Sequence, residues 1–372
     1  MFRKAGDENT IKTRQSGDAR PLKNLLVTGG CGFIGANFIN RFMRTHPTVH
    51  VYNLDKLEYC SNLRSIEHAD SPYYHFVRGD ITNRDLVMHI FVTYDIDTVV
   101  HFAAQSHVDN SFGNSLSFTM NNVYGTHNLL ECARVYNRLE KFIHVSTDEV
   151  YGEVKSSQFE EGMLNPTNPY AATKAAAEYI VKSYHISFNL PVLISRGNNV
   201  YGPYQYPEKI IPRFIMLLER GERLTVQGTG HNTRTFIHAF DVADAFSTLV
   251  DKGVIGEIYN IGSTDEHSVM EIARRVVSTI KGPSEIANEE EFKKKYIAFV
   301  KDREFNDERY DIDCKKLEAL GWTRQYDFQR GFVDTVEWYV EALRNHFWSD
   351  IKLNIPDSTP LAPPVGGGSF CA

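Results

Sequence analysis

The residue types best suited to acid–base chemistry lie between positions 146 and 174. Thr147, Asp148 and Glu149 bring a hydroxyl and two acids together, and Tyr170 and Lys174 follow after a polar segment. Residues four apart on a helix share a face, so the phenol and the ammonium should lie side by side. A phenol has an ordinary pKa of about 10, and a nearby ammonium favours its ionised form. Tyr170 could then take a proton from a hydroxyl held by Thr147 while hydride leaves the same carbon.

The two acids suggest a second kind of chemistry. Asp148 and Glu149 follow an apolar run, Lys141 to Val145, that predicts a strand of a parallel sheet. Two carboxyls at the end of such a strand can divide labour, one giving a proton to a leaving hydroxyl while the other takes a proton from carbon. An oxidation or an epimerisation would not need them. The alternative is that this Asp-Glu pair only caps the next turn, and that the Tyr-Lys spacing arises by chance on a solvated helix.

A glycine-rich turn near the N-terminus predicts a dinucleotide site. The apolar run Leu25 to Thr28 leads into Gly29-Gly30-Cys31-Gly32-Phe33-Ile34-Gly35 and a helix from Ala36 to Met43. This order of strand, glycine turn and helix is typical of a dinucleotide-binding βα unit. The next strand ends at Asp55, which lies 20 residues after Gly35 (55 minus 35). An acid there can receive a ribose 2′-hydroxyl and would repel a 2′-phosphate, so NAD is favoured over NADP.

Alternating apolar runs and helical segments predict the architecture. The pattern indicates an α/β protein with a doubly wound parallel Rossmann sheet and a smaller, mixed α/β substrate-binding lobe. One long helix should run from about Pro169 to Phe188. The predicted divisions are a disordered tail at 1–21, a Rossmann domain at 22–195 to which 235–250 returns, a substrate lobe at 196–348, and a disordered tail at 349–372.

Composition narrows the class of protein. The 372 residues carry 42% hydrophobic and 23% charged residues, ordinary values for a globular chain. A net charge of -7 gives no electrostatic reason to expect a nucleic-acid partner. Five scattered cysteines without CxxC spacing favour a reducing compartment, so we expect a cytoplasmic protein. We also expect no membrane span, no secretory signal and no metal site.

Three motifs together carry a family resemblance. Thr147-Asp148-Glu149-Val150-Tyr151-Gly152, Tyr170 to Lys174, and Asn198-Asn199-Val200-Tyr201-Gly202-Pro203 followed by Pro207-Glu208-Lys209 resemble the nucleoside-diphosphate-glucose 4,6-dehydratases of the extended short-chain dehydrogenase/reductase family. The similarity runs from about Lys23 to Tyr339. It implies a redox cycle with retained NAD: oxidation at sugar C4, loss of water across C5 and C6, and hydride return to C6.

The resemblance and the motifs together assign the site residues. The resemblance implies that Asp148 is the acid for the C6 hydroxyl, Glu149 the base at C5 and Tyr170 the base at the C4 hydroxyl. Thr147 and Lys174 complete the predicted catalytic set. The cofactor-binding set is Gly29, Gly32, Phe33, Ile34, Gly35, Asp55, Asp80, Ile81, Ala103, Asn122, Ser146, Tyr170 and Lys174. The substrate-binding set is His107, Asn199, Lys209, Arg234, Arg303 and Asn306. For His107, a packing role is the competing interpretation.

Four segments bear on the choice of nucleotide. Leu54 to Leu63, Asn110 to Ser115, Arg196 to Pro203 and Phe305 to Asp307 look closer to the dehydratase half of plant rhamnose synthases than to bacterial dTDP-glucose enzymes. The resemblance therefore implies a UDP-glucose 4,6-dehydratase of the UDP-rhamnose pathway, making UDP-4-keto-6-deoxy-glucose. The chain ends too soon for the second plant domain, so a separate epimerase or reductase is expected to use the product.

Other interpretations remain open at this point. dTDP-glucose is the alternative substrate, and a UDP-sugar 4-epimerase or decarboxylase shares the fold and the Tyr-Lys pair. A non-catalytic NAD-binding regulator is a further alternative, although such a protein would not need Tyr170 and Lys174. The resemblance also implies a homodimer formed through the helices around 125–135 and 169–188.

Overall fold

The computed structural model describes residues 21–153, 158–301 and 312–348. Apart from Pro21, the predicted tails at 1–21 and 349–372 therefore lie outside the described residues. Within the described ranges, no helix has the length and apolar character needed to cross a membrane.

The secondary structure alternates strands and helices through the first half of the chain. The strands are β1 (Asn24–Thr28), β2 (His50–Asp55), β3 (Tyr74–Arg78), β4 (Thr98–His101), β5 (Lys141–Thr147), β6 (Val192–Gly197), β7 (Asn199–Tyr201), β8 (Leu224–Gln227), β9 (Thr233–His238), β10 (Ile258–Ile261), β11 (Glu266–Ser268) and β12 (Ile297–Val300). The α-helices are α1 (Phe33–Thr45), α2 (Arg84–Thr93), α3 (Val108–Gly113), α4 (Ser115–Phe118), α5 (Gly125–Tyr136), α6 (Pro169–Phe188), α7 (Ile210–Glu219), α8 (Ala239–Lys252), α9 (Val269–Lys281), α10 (Glu289–Tyr296), α11 (Lys315–Glu318) and α12 (Phe328–Arg344). Short 3₁₀ segments lie at Leu63–Ser65, Asp148–Tyr151 and Pro283–Ile286, and a π-helical turn lies at Thr119–Tyr124.

A seven-stranded parallel sheet forms the centre of the molecule, in the order β10-β6-β5-β4-β1-β2-β3. Leu25, Leu26 and Val27 of β1 are fully buried, as expected for a strand covered by helices on both faces. The strand order reverses between β1 and β4, where the carboxyl ends of such sheets leave a crevice for a ligand. The predicted doubly wound fold is confirmed.

A smaller lobe carries mixed strand pairing. Strand β9 pairs in parallel with β7 and antiparallel with β11, while β8 and β12 form a separate parallel pair. Helices α7, α9 and α12 share one apolar core with these strands, which includes the buried side chains of Phe214, Ile272, Phe292, Phe332 and Tyr339. This lobe confirms the predicted mixed α/β character.

Two elements from the second half of the chain return to the main sheet. Helix α8 packs on α1, with the rings of Phe38 and Phe246 6.2 Å apart and an ion pair of 2.6 Å between Arg41 and Asp244. Strand β10 pairs with β6. We therefore propose that the first domain consists of residues 22–195 together with α8 and β10. The sequence predicted that only residues 235–250 of the second half of the chain return to this domain.

Helix α6 positions the Tyr-Lys pair through its N-terminus. The side chain of Asn168 accepts a hydrogen bond of 2.9 Å from the N–H of Ala171, and Pro169 occupies the first turn. An asparagine cap followed by proline is a strong helix start, because proline has no N–H to leave unsatisfied there. The helix then runs beside β5, which places Tyr170 and Lys174 next to the strand end that carries Thr147.

Candidate functional site

Two cavities meet where the lobes face each other. We call one the glycine-loop cavity; it is lined by the β1–α1 turn, the ends of β2 and β3, and Ser146, Tyr170 and Lys174. We call the other the interlobe cavity; it is lined by Glu149 and by side chains of the smaller lobe. Gln205, Glu208 and Lys209 line both, so the two cavities are adjacent. A ligand with two connected parts could span them.

The glycine loop brings backbone close to backbone. Gly29 has a φ of +71°, and a Cβ there would lie 2.7 Å from the Cα of Ala103. A Cβ on Gly35 would lie 2.5 Å from the carbonyl oxygen of Gly29. Gly32 stands at the N-cap of α1 without a capping side chain, so the N-terminus of the helix is open to an anionic ligand group. The predicted residues of this loop that line the cavity are Gly29, Gly32, Phe33, Ile34 and Gly35.

Asp55 is held at the end of β2 by main-chain donors. One carboxyl oxygen accepts from the N–H of Cys31 at 3.0 Å, and the other accepts from the N–H of Leu57 at 2.8 Å and from Ser61 at 3.2 Å. Burial raises the pKa of Asp55 above its ordinary value, while these hydrogen bonds oppose the rise. The carboxyl lines the glycine-loop cavity, where sugar hydroxyls could donate to its remaining lone pairs.

Asp80 and Ile81 line the same cavity, as does Ala103. Burial tends to raise the pKa of Asp80, but hydrogen bonds from Thr82 and the ammonium of Lys56 lower it overall. Lys56 was missed by the sequence reasoning, although it follows Asp55 directly. Its Nζ forms an ion pair of 2.5 Å with Glu58, lies 3.5 Å from Asp80 and donates to the side chain of Asn121 at 3.1 Å, so it offsets the negative charge of the two acids on the cavity wall.

Asn122 has a different position from the other predicted cofactor residues. It is absent from the cavity lining, and its neighbour Asn121 lies there instead. The amide of Asn122 accepts from the N–H of Gln105 at 2.8 Å and donates to Thr173 at 3.0 Å. The side chain therefore ties the loop after β4 to helix α6.

Ser146 offers an independent sign of a polar ligand. Its side chain is buried, and among the described residues its Oγ has no hydrogen-bond partner. Such an orphaned hydroxyl costs free energy unless another molecule supplies the partner. Because Ser146 lines the glycine-loop cavity beside Tyr170 and Lys174, this observation fits a ligand bound there.

Tyr170 and Lys174 are both buried and line the glycine-loop cavity. Nζ of Lys174 donates to the main-chain oxygen of Val145 at 2.6 Å, and burial lowers the pKa of Lys174 to about 8. Burial and the nearby Glu149 carboxylate raise the pKa of Tyr170. The phenol is thus protonated in the ligand-free protein, and its ionisation requires a favourable charge from a bound ligand.

The acid pair stands in two distinct environments. Asp148 is only 2% exposed, and burial, followed by the charge of Glu149, raises its pKa to about 7. One of its oxygens accepts from Asn198 at 2.7 Å, and the other lies 3.1 Å from the hydroxyl of Thr147. Glu149 is more exposed, faces the interlobe cavity and accepts from Asn168 at 2.9 Å. The pair therefore combines a readily protonated acid with a carboxylate.

Four of the predicted substrate residues line the interlobe cavity: His107, Asn199, Lys209 and Arg234. Arg303 and Asn306 lie outside the described residues. Nζ of Lys209 donates to the main-chain oxygen of Ser106 at 3.0 Å and so bridges the lobes. Arg213, Asn232 and Gln227 also line the cavity and were missed. Arg213 could have been noticed as a polar residue within an apolar helical segment, whereas Gln227 and Asn232 lie in or beside a polar turn and gave no such signal.

Metal ligation has no candidate in residues 21–153, 158–301 and 312–348, because no group of three or more His, Cys, Asp or Glu side chains there could hold an ion. The arrangement can instead bind a two-part ligand, hold a hydroxyl at Thr147 and Tyr170, and exchange protons through Asp148 and Glu149.

The chain is similar to known proteins over most of its length. A family model described as GDP-mannose 4,6 dehydratase matches residues 26–335. The trifunctional UDP-glucose 4,6-dehydratase/UDP-4-keto-6-deoxy-D-glucose 3,5-epimerase/UDP-4-keto-L-rhamnose-reductase of Arabidopsis thaliana is 47% identical over 335 residues, 89% of this chain and 48% of that protein. The chain thus spans about half the length of this relative. The dTDP-D-glucose 4,6-dehydratase of Bos taurus is 44% identical over 344 residues, 92% of this chain and 95% of that protein.

A solved structure shares the fold. The crystal structure of dTDP-glucose 4,6-dehydratase from Streptomyces venezuelae with NAD and TYD bound is 38% identical, with a TM-score of 0.80, and the match covers 87% of this chain and 98% of that one.

Proposed function

The chain belongs to the nucleotide-sugar 4,6-dehydratases of the extended short-chain dehydrogenase/reductase family, and from this membership we propose that it is an NAD-dependent UDP-glucose 4,6-dehydratase. Its product is UDP-4-keto-6-deoxy-glucose, on which an epimerase or reductase then acts. dTDP-glucose is the alternative substrate, because the bovine relative carries that name at 44% identity.

One observation carries the proposal: two adjacent acids differ in their environment, since Asp148 is buried and lines neither cavity while Glu149 lines the interlobe cavity. Asp148, with a pKa raised to about 7 by burial, can hold a proton at neutral pH. Glu149 accepts a hydrogen bond from Asn168 and faces the interlobe cavity. Two carboxyls in separate environments suit an acid and a base. An epimerase that only moves hydride to and from C4 has no use for either.

The glycine-loop cavity fits NAD. The close approach at Gly29 and Gly35, the carboxyl of Asp55 and the unpaired hydroxyl of Ser146 provide a cradle, a ribose acceptor and a polar contact. When bound, NAD supplies the group that takes hydride from the sugar and returns it. Asp55 would repel a 2′-phosphate, which argues for NAD over NADP.

The proton transfers belong to the protein's own residues. Tyr170 takes the proton of the C4 hydroxyl, Thr147 holds that hydroxyl in place, and the charge of Lys174 favours the phenolate. In the elimination, Asp148 gives a proton to the C6 hydroxyl oxygen, and the C6–O bond breaks with its electron pair on the departing water. Glu149 takes the C5 proton, and the electron pair of the C5–H bond forms the C5–C6 double bond.

The nucleotide is recognised in the interlobe cavity. Arg234 and Arg213 line it and can offer guanidinium donors to a diphosphate. We favour UDP because the Arabidopsis relative, at 47% identity, is named for UDP-glucose and because the segments quoted from the sequence resemble the plant enzymes. Both points rest on similarity, so a direct comparison of substrates is required.

Purified protein should be incubated separately with UDP-glucose and dTDP-glucose, and the loss of one water followed by mass spectrometry. Water loss from UDP-glucose at a much lower concentration supports the proposal. A preference for dTDP-glucose would support the proposed dehydratase activity but contradict the proposed specificity for UDP. A C4 epimer without water loss would point to an epimerase, and no reaction with either substrate to an NAD-binding regulator.

We further propose that the protein is a homodimer. The segment from α3 to α6 exposes large apolar side chains, among them Leu116 and Ile186, each 78% exposed, and Met120 of the π-helical turn, 55% exposed. Exposed apolar patches mark protein interfaces when their side chains are contiguous. A monomeric mass in solution at micromolar concentration would contradict this.

A further inference from the structure

Asn198 links Asp148 to the turn that follows β10. It follows β6 and is 5% exposed. Its Oδ1 accepts from the main-chain N–H of Ser263 at 3.2 Å, and its Nδ2 donates to Oδ2 of Asp148 at 2.7 Å. Both ends of the amide are thus engaged, one by main chain and one by a carboxyl.

The main chain dictates which way the amide points. An N–H group can only donate, so the atom that faces Ser263 must be the oxygen, and the amide nitrogen must then face Asp148. Gly262 makes this approach possible, because a Cβ there would lie 2.1 Å from Oδ1 of Asn198. The amide cannot flip without placing its NH₂ group against the N–H of Ser263.

This orientation constrains the carboxyl. An NH₂ group donates, so Oδ2 of Asp148 must accept, and an oxygen that accepts in this direction is a poor place for a proton. The second oxygen, Oδ1, lies 3.1 Å from the hydroxyl of Thr147, which can either donate or accept. We propose that Asn198 is a positioning residue that keeps the transferable proton of Asp148 on Oδ1, the oxygen beside Thr147.

The inference rests on the proposed function, in which this proton goes to the C6 hydroxyl oxygen as water leaves. Thr147 is also the residue that holds the C4 hydroxyl, so a proton on Oδ1 lies on the substrate side of the carboxyl. A proton on Oδ2 would point toward Asn198 instead. The charged and titratable groups that act on or near Asp148 are Glu149 on its own segment, Tyr170 on α6 and Arg234 on β9.

Asn198→Asp is the sharpest test because it keeps the shape and still offers an acceptor to the N–H of Ser263. Its second oxygen would meet Oδ2 of Asp148, and two such carboxyl oxygens must share a proton. That proton is withdrawn from Oδ1, so we expect water elimination to fall about 100-fold, the lower range of general-acid contributions. Binding of a second proton to this pair of carboxyls restores a proton on Oδ1 of Asp148, so the pH optimum of elimination should move to lower pH.

Oxidation at C4 does not use Asp148, which gives a second readout. In the variant, the absorbance of reduced nicotinamide should build up on mixing with substrate, because oxidation continues while elimination is slow. Asn40→Asp is the matched control: Asn40 also accepts a main-chain N–H, from Glu67 at 2.9 Å, and donates to the main-chain oxygen of Ser65 at 2.8 Å, so its partners are remote from Asp148. It should leave the ratio of elimination to oxidation unchanged.

If the aspartate variant does not fold, Asn198→Ala tests the same inference. We expect its rate of elimination to fall about tenfold and reduced nicotinamide to accumulate in the same way. Equal loss of oxidation and elimination, or an unchanged pH optimum in the aspartate variant, would overturn the inference. Absence of water loss in the wild-type protein would instead contradict the proposed function.

Discussion

Lys174 donates a hydrogen bond of 2.6 Å to the main-chain oxygen of Val145, one strand residue before Ser146. The ammonium is buried and anchored to β5, and it lies one helical turn after Tyr170 on α6. Burial lowers its pKa to about 8, and the carboxylate of Glu178 offsets part of that effect. The ammonium therefore loses its positive charge in mildly alkaline solution.

The first prediction concerns this charge. Since the ammonium of Lys174 loses its proton above a pKa of about 8, kcat/KM of the wild-type protein should fall as pH rises through that value. Lys174→Met should lower kcat by about 100-fold and remove the alkaline fall. Rates of C4 oxidation in stopped flow across pH 6 to 10 would measure both. A methionine variant that keeps the alkaline limb would assign it to another group.

Glu149→Gln tests the base of the elimination. Glutamine keeps the size of the side chain and an oxygen for the hydrogen bond from Asn168, but it cannot take a proton from carbon. We expect NAD to remain bound and C4 oxidation to continue, while water loss falls at least about 100-fold. Mass spectrometry of the product gives the rate. Normal turnover of the glutamine variant would refute the role of Glu149.

Asp148 makes stability depend on pH. Its pKa is raised from 3.8 to about 7 by burial and by Glu149. Below pH 3.8 the carboxyl is protonated in both states, so its contribution to stability is fully present there. As pH rises toward 7, the unfolded chain releases the proton and the folded protein retains it, so stability falls by about 1.4 kcal/mol per pH unit and then levels off.

Asp148→Asn removes this titration. Urea unfolding of the ligand-free wild type and variant at pH 5 and pH 8 should show that the free energy of unfolding of the variant gains on that of the wild type by roughly 2 to 3 kcal/mol at the higher pH. A pH-independent difference between the two proteins would show that Asp148 ionises at its ordinary pKa.

The ion pair between Arg196 and Glu178 joins β6 to α6, the helix that carries Tyr170 and Lys174. The two side chains are 1% and 0% exposed and 2.7 Å apart, and the guanidinium also donates to the hydroxyl of Tyr151 at 2.8 Å. Glu178→Gln leaves a buried cation without its counter-charge, so we expect a loss of about 3–5 kcal/mol in the free energy of unfolding. The partly exposed pair of Glu131 and Arg134 is the control, for which Glu131→Gln should cost at most about 1 kcal/mol. Similar losses in both variants would contradict the prediction.

The sequence was sufficient where function depends on local spacing. The glycine turn, Asp55, Tyr170 and Lys174 follow from the order of strand and helix and from the helical period, and the structure places all of them along one cavity. It was insufficient where position depends on register. Asn121 and not Asn122 lines the cavity, and both lie in a π-helical turn at Thr119–Tyr124 whose departure from the 3.6-residue period the sequence does not show.

The sequence also did not allow hydrogen bonds between residues far apart along the chain to be predicted. Asn198 acquires its role from the N–H of Ser263, 65 residues later, and from the missing side chain of Gly262. Residue types along the chain do not show which donor meets which acceptor once β10 has joined the sheet. Lys174 illustrates the same point, because its spacing from Tyr170 predicted proximity but could not predict the hydrogen bond to Val145.

Gly35 tests the cradle of the glycine-loop cavity. A Cβ there would lie 2.5 Å from the carbonyl oxygen of Gly29 and 2.8 Å from the Cα of Gly30, both of them backbone atoms that cannot rotate away. Gly35→Ala must therefore push the loop off the start of α1, where the phosphates are expected. Such overpacking costs about 1–3 kcal/mol, so NAD should bind roughly 5- to 150-fold more weakly if that cost falls on the bound state. Gly113→Ala is the control, because a Cβ at that position has no neighbour within 4 Å. Fluorescence titration with NAD compares the two variants, and unchanged affinity in Gly35→Ala would show that the ligand does not depend on this approach of loop and helix.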